Sequence, residues 1–152
     1  MGGDTDLDLA LRCSDAAADL ALTYFEQGVE ASTKADGTPV TDADLAVEHL
    51  LRQMLDAAAP GDALLGEEFG QLGDSERLWI LDPIDGTSFF SRNDPNWRVH
   101  VALEGAGTRA VAVVTAPALG FQWWATRGGG AFETSWPRVG NARRLRVSRT
   151  AS

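Results

Sequence analysis

Leu7, Leu11, Ser14, Ala18, Leu22 and Phe25 recur at steps of three and four residues, the repeat of a helix that turns a small or apolar face inward. This spacing predicts a helix over 6–28. The segment 32–44, "STKADGTPVTDAD", is polar and carries Asp-Gly and a proline, which predicts a loop. A second helix is expected to begin near Thr41–Asp42, with Asp42 as its natural cap. Val47, Leu50, Leu51, Met54 and Leu55 form its buried stripe, and "APGDA" ends it. Beyond this point the pattern changes to short apolar runs: "ALLGEE", "RLWILD", "WRVHVALE", "RAVAVVTA" and "FQWWATR", with "AFE" and "RLRVS" as shorter strands. Two long helices followed by closely spaced strands predict an α+β fold in which the helices pack on a largely antiparallel sheet.

Composition narrows the picture. With 152 residues, 44% hydrophobic and 23% charged, the chain has the length and make-up of one globular domain. No apolar run approaches the roughly 20 residues of a membrane helix. The opening "MGGDTDLDLA" has neither the basic region nor the apolar core of a signal peptide, so the expectation is a cytoplasmic protein. A net charge of −9 argues against general binding to nucleic acid or to an anionic membrane. It also sets a condition: phosphate chemistry on so acidic a surface needs bound cations to reverse the local sign. The basic tail "RVGNARRLRVSRT" reads more simply as a solvated edge strand than as a nucleic-acid patch. The lone Cys13 reads as a small buried hydrophobe.

The segment "WILDPIDGTSFF" concentrates the candidate chemistry. Asp82 stands where a buried strand leaves the core. Pro83 fixes its own φ and holds the preceding residue extended, and a turn through Ile84 and Asp85 brings two carboxylates to one side. Gly86, Thr87 and Ser88 can open a helix whose free N–H groups favour an anion. Carboxylate oxygens suit a hard cation such as Mg2+. Read alone, Asp-Pro-Ile-Asp-Gly-Thr is equally a good turn, and "GEEFG" alone, with Glu67 and Glu68, is a solvated loop. Together they are two successive strands that each end in acids. Carboxylates converging there would repel one another without cations between them, which favours a two-metal site for displacement at phosphorus. In "VTDADLAVE", Asp44 falls in the first helical turn, where a negative charge is favoured in any case. Its functional alternative is to orient, with the Thr87 hydroxyl, a metal-activated water.

Other chemistries find no support. "RGGGAF" lacks the Lys-Ser/Thr of a P-loop and reads as a bulged hairpin. Only His49, expected to be exposed, and His100, expected to pack or hydrogen-bond within a strand, could assist a nucleophile. Trp97, Trp123 and Trp124 are core or sheet-surface residues, although "QWWA" puts an aromatic ring on each face of its strand.

Over residues 5–148 the order "TPVTDAD … GEEFG … WILDPIDGT … VVTAPALGFQWWATRGGGAF" resembles the inositol monophosphatase family of Mg2+-dependent, lithium-sensitive phosphatases. Within it, the bacterial histidinol-phosphate phosphatase branch is the most similar. The resemblance implies that Glu67, Asp82 and the backbone carbonyl of Ile84 hold a first metal. Asp82 would bridge to a second that Asp85 also binds, with Glu68 as a possible accessory ligand and roughly two or three Mg2+ ions in a complete site. It implies that Asp44 and Thr87 orient the attacking water and that the backbone of Gly86 and Thr87 holds the phosphate. Two departures stand out. Relatives follow "DPIDGT" with Lys or Thr and then Asn, where this chain has Ser88-Phe89-Phe90. Their C-terminal half supplies a Trp-Asp motif completing the second metal site, and this sequence ends at Ser152 ahead of any such motif.

The expectation is therefore a single metal-binding domain over 1–152, matching the N-terminal half of the family fold without its C-terminal domain. Its substrate would be a small phosphorylated metabolite, histidinol phosphate first and inositol 1-phosphate second. The competing expectation is a catalytically weak metal-binding domain that acts through another chain. Either way an apolar sheet face is left to be covered by a homo-oligomer or a complementing chain.

Overall fold

Ala10, Cys13, Ala17 and Ala21, which no water reaches, line the face on which the first helix meets the rest of the protein. The computed structural model describes residues 2–28, 30–37 and 39–150. α1 (Gly2–Gln27) starts four residues before the expected helix. Ser14 and Ala18 of the expected face are fully buried and Leu7, Leu11, Leu22 and Phe25 lie half-buried against the same core, while Ala10, Cys13, Ala17 and Ala21 widen the face. Small residues at the centre allow the helix to approach both its partner helix and the sheet closely.

The predicted loop 32–44 contains a small ribbon, β1 (Ser32–Thr33) antiparallel to β2 (Pro39–Val40), and the start of α2 (Asp42–Ala58). The cap of α2 is not Asp42, which is helical and exposed, but Thr41. The Thr41 side chain accepts from the Asp44 amide while the Asp44 carboxylate accepts from the Thr41 amide, a reciprocal capping box. Thr41 wins because only from there does the third helical residue reach back with an acid. His49 is exposed, as expected.

The strands are β3 (Ala63–Gly66), β4 (Gly70–Leu72), β5 (Arg77–Asp85), β6 (Arg98–Gly105), β7 (Thr108–Ala116), β8 (Phe121–Thr126), β9 (Gly130–Ser135) and β10 (Arg143–Leu145). They make one sheet in the order β10-β9-β8-β7-β6-β5-β3-β4. Every neighbouring pair is antiparallel except β3 and β5, which run parallel. The α+β fold with helices on a largely antiparallel sheet is as expected. β4, too short and polar to show a period, was not.

α1 packs on β6 and β7, and α2 on β5. Trp79, Leu81, Val99, Val101, Leu103, Val111 and Val113 point into this layer and are buried. The alternate positions, among them Leu78, Ile80, Ala112, Val114 and Trp123, lie half-buried on the opposite face. β8 carries a ring on each face: Trp124 stacks on Phe132 and Trp123 on Phe121, both at 5.9 Å between centroids. "RGGGAF" turns β8 back into β9, and β10 forms the predicted basic edge strand.

Candidate functional site

β3 and β5 run side by side in the same direction, with Gly66 opposite Leu81. The residues that follow, Glu67 and Asp82, therefore lie at the same end of the parallel pair. The two acid-ended strands do meet, and the parallel pairing is what makes them meet. The carboxyl ends of parallel strands are a common place for a ligand to sit.

The route to Asp85 differs from the expected turn. β5 continues through Pro83 and Ile84 to Asp85, and its register against β6 slips: Asp82 pairs with His100 and Asp85 with Arg98. Two residues on β5 thus face the single residue Val99. In a regular strand, positions 82 and 85 would point to opposite faces. The extra residue reverses the parity, so Asp82 and Asp85 share one face, that of His100 and Arg98. Pro83, which has no amide to donate, falls inside the slip, where the loss costs nothing.

Gly86 then caps a short helix, α3 (Thr87–Ser91), with φ 92°, in the left-handed region that glycine tolerates best. A side chain there would crowd Phe89 Cδ2 at 3.1 Å and the Asn96 carbonyl at 3.2 Å. The atypical Ser88-Phe89-Phe90 does not distort this turn. Phe90 is buried against Phe25 and Trp97, with centroids 5.4 and 4.8 Å away, and anchors α3 to the core. The Thr87 hydroxyl reaches Asp44 Oδ1 at 2.9 Å and the Ile84 carbonyl at 3.2 Å. Asp44 is itself buried, and its Oδ2 accepts from the Thr41 amide at 2.8 Å and the Thr41 hydroxyl at 2.6 Å. Asp44, Thr87 and Ile84 are thereby brought together.

The electrostatics of the cluster are unfavourable as it stands. Burial pushes the Asp82 carboxyl up to about 8. A hydrogen bond to Glu67, and the charges of Glu67, Asp85 and Asp44, push in the same direction. Asp82 Oδ1 is buried and meets no donor. Glu67 and Asp85 are half-exposed, their side chains at 49% and 56%. Among the described residues no three His, Cys, Asp or Glu side chains are already gathered around one point as an ion would hold them. The donor set, three carboxylates with one orphaned buried oxygen and a nearby carbonyl, fits a hard divalent cation.

Two neighbours were not foreseen in their present roles. Lys34 Nζ donates to both oxygens of Glu68, at 3.2 and 3.3 Å, and stands 3.8 Å from Glu67. Glu68 is thus turned to the lysine rather than open to an ion, while its sequence neighbour Glu67 stays half-exposed beside Asp82. A lysine in a polar loop gives no periodic signal, so only the fold reveals it. His100 lies opposite Asp82 with Nε2 3.4 Å from Asp85 Oδ2, without hydrogen-bond geometry. Burial lowers its pKa, the Asp85 charge opposing and Arg98 assisting.

Residues 4–152 match the model of the inositol monophosphatase family. A histidinol-phosphatase of Mycobacterium tuberculosis is 49% identical over 145 residues, 94% of this chain and 54% of its own length. A Streptomyces griseus protein named glucose-1-phosphate thymidylyltransferase is 47% identical over 131 residues, 85% of this chain and 51% of its own. Among solved structures, the Thermotoga maritima IMPase superposes with a TM-score of 0.85 at 30% identity, covering 97% of this chain and 56% of that one. The chain spans about half the length of the relatives it matches.

Proposed function

This chain belongs to the inositol monophosphatase family, and on that footing we propose that it carries the metal-binding half of a Mg2+-dependent phosphomonoesterase site. The observation that carries this reading is the slip in β5. It turns Asp82 and Asp85 to one face beside Glu67 of the parallel neighbour and leaves a buried Asp82 oxygen without a partner.

Glu67, Asp82, Asp85 and the Ile84 carbonyl would hold the cation. Bound there, it supplies Lewis acidity toward a phosphate oxygen and toward water. The chain's own groups do the rest. The Thr87 hydrogen is committed to Asp44 or to the Ile84 carbonyl, so the hydroxyl presents only lone pairs outward. It can therefore accept a hydrogen bond from a water and fix its orientation. Asp44, saturated by Thr41 on its other oxygen, holds Thr87 in that state. The first-turn N–H groups of α3, at Gly86 and Thr87, are the place for the phosphate oxygens. Among the described residues no side chain is set for covalent attack, so the proposed hydrolysis is direct displacement by water.

The substrate we propose is a small phosphate ester, histidinol phosphate before inositol 1-phosphate, on the strength of the histidinol-phosphatase relative. The test is phosphate release from each ester with Mg2+, wild type against Asp85→Asn. Mg2+-dependent release by the wild type, lost in the variant, is expected. Absence of release by the wild type would sink the enzymatic reading for this chain.

A second reading is favoured by the half-buried apolar face around Ile80, Val114 and Trp123. A domain with that face uncovered would bind cations weakly and act only when a second copy or a complementing chain covers it.

A further inference from the structure

Glu48 is completely buried, one helical turn beyond Asp44 on α2, and it takes no part in the site as described so far. A carboxylate is costly to bury unless every lone pair is engaged. Here Oε1 accepts the Glu68 amide at 2.7 Å, while Oε2 accepts the Phe69 amide at 2.8 Å and Arg52 Nε at 3.0 Å. Arg52 in turn donates through Nη2 to the Gly70 carbonyl and lies over the Phe69 ring, 5.9 Å from its centroid. The space for the carboxylate exists because residue 66 is glycine: a methyl group there would collide with the Glu48 carboxyl.

Apart from the ion pair with Arg52 within α2, these contacts go to Gly66, Glu68, Phe69 and Gly70, the residues that flank Glu67. None is made to the side chain of Glu67 itself, which is half-exposed and faces Asp82 and Lys34. Fixing the amides of 68 and 69 from inside fixes the backbone from which the Glu67 carboxylate projects. We propose that Glu48 is a positioning residue for the cation site, holding the Glu67 turn against the end of β5 so that Glu67 and Asp82 converge without ion binding having to order the turn. This inference rests on the metal reading above. It adds that α2 serves the site twice from one face, through Asp44 toward Thr87 and through Glu48 toward Glu67.

The test is Mn2+ binding followed by electron paramagnetic resonance, together with amide hydrogen exchange of the cation-free protein. The comparison is between wild type, Glu48→Gln and Gly66→Ala. Glutamine keeps the shape, but its amide nitrogen meets an N–H head-on whichever way it is turned, so at least one bond to the turn is lost. Alanine at 66 leaves the carboxylate intact and pushes it off its donors. Both variants are expected to bind Mn2+ roughly tenfold to a hundredfold more weakly. Both are also expected to lose protection at the Glu68 and Phe69 amides while the strand amides of β6 and β7 keep theirs. Unchanged affinity in a folded Glu48→Gln protein overturns the inference. Should that variant not fold, unchanged affinity in Gly66→Ala overturns it equally. A wild type that binds no Mn2+ overturns the metal reading itself, and this inference with it.

Discussion

The Thr87 hydroxyl donates to Asp44 Oδ1 over 2.9 Å, tying the first turn of α3 to the first turn of α2 across 43 positions of sequence. The same Asp44 closes the capping box of α2 through its other oxygen. One carboxylate thus serves the stability of a helix and the orientation of a hydroxyl at once, and substitution at either end should separate the two.

Thr87→Val keeps the shape and removes the hydroxyl. Buried Asp44 Oδ1 then loses its donor, which costs about 1–2 kcal/mol. If the hydroxyl orients the attacking water, Mg2+-dependent phosphate release falls by roughly a hundredfold or more. Asp44→Ala should lose as much activity, but it also loses the carboxylate half of the capping box, adding about 1 kcal/mol to the stability cost. Phosphate release and urea denaturation of the two variants check this. Unimpaired release by Thr87→Val would remove Thr87 from the role.

The anchoring of α3 gives a contrast between adjacent phenylalanines. Phe90 is 2% exposed and packs edge-on against Trp97, whereas Phe89 is 39% exposed and lies under the Arg92 guanidinium at 5.2 Å. Phe90→Ala should cost about 3–5 kcal/mol and loosen Thr87 along with α3. Phe89→Ala should cost about 1 kcal/mol or less. Denaturant titration distinguishes them, and equal costs would mean that α3 is not anchored as described.

The residues that the structure brings together at the candidate site are marked by strongly local patterns: a strand ending in acid, a proline, a glycine before a hydroxyl. How they are brought together was only partly legible. The slip between Asp82 and Asp85 exists only relative to β6, so the sequence of β5 suggests a turn where the strand in fact continues. Asp42 and Thr41 are both good caps read singly, and the choice falls to whichever places an acid at the third helical position. The inward face of α1 was legible but is wider than expected, because close packing on a sheet also takes the small Ala10, Ala17 and Ala21 at its centre. Lys34 belongs to a loop whose course is set by the ribbon of β1 and β2, and no periodicity could bring it to Glu68.

The outer face of the sheet makes a prediction about association. Ile80, Val114 and Trp123 stand on it half-buried, and burying them stabilises at about 25 cal/mol per Å2 of apolar surface removed from water. The protein is expected to sediment as more than a monomer at micromolar concentration, and Trp123→Glu to shift it toward monomer with its helical circular dichroism unchanged. A wild type that stays monomeric at high concentration would leave the face to a complementing chain.

The charge at Asp82 makes stability depend on pH in a direction that cation binding should reverse. Its carboxyl is raised from an ordinary value near 3.8 to about 8 in the folded protein, chiefly by burial and then by Glu67 and the other acids. Between those two values the folded state keeps a proton that the unfolded state has released. Stability must therefore fall as pH rises from about 4 to about 8. This is opposite to an acid whose pKa folding lowers. With EDTA present, the melting temperature should decline across that interval, once the contribution of the other titrating groups is removed by comparison with Asp82→Asn. That variant has no proton to lose there and should melt higher than wild type at pH 8. With Mg2+ present, the ordering should invert: wild type gains from binding the ion while Asp82→Asn gains little, because one of the carboxylates proposed to hold it is removed. Thermal melts of the two proteins at pH 5 and pH 8, with EDTA and with Mg2+, decide the matter. Parallel pH profiles for both proteins would show that Asp82 does not carry the strain assigned to it.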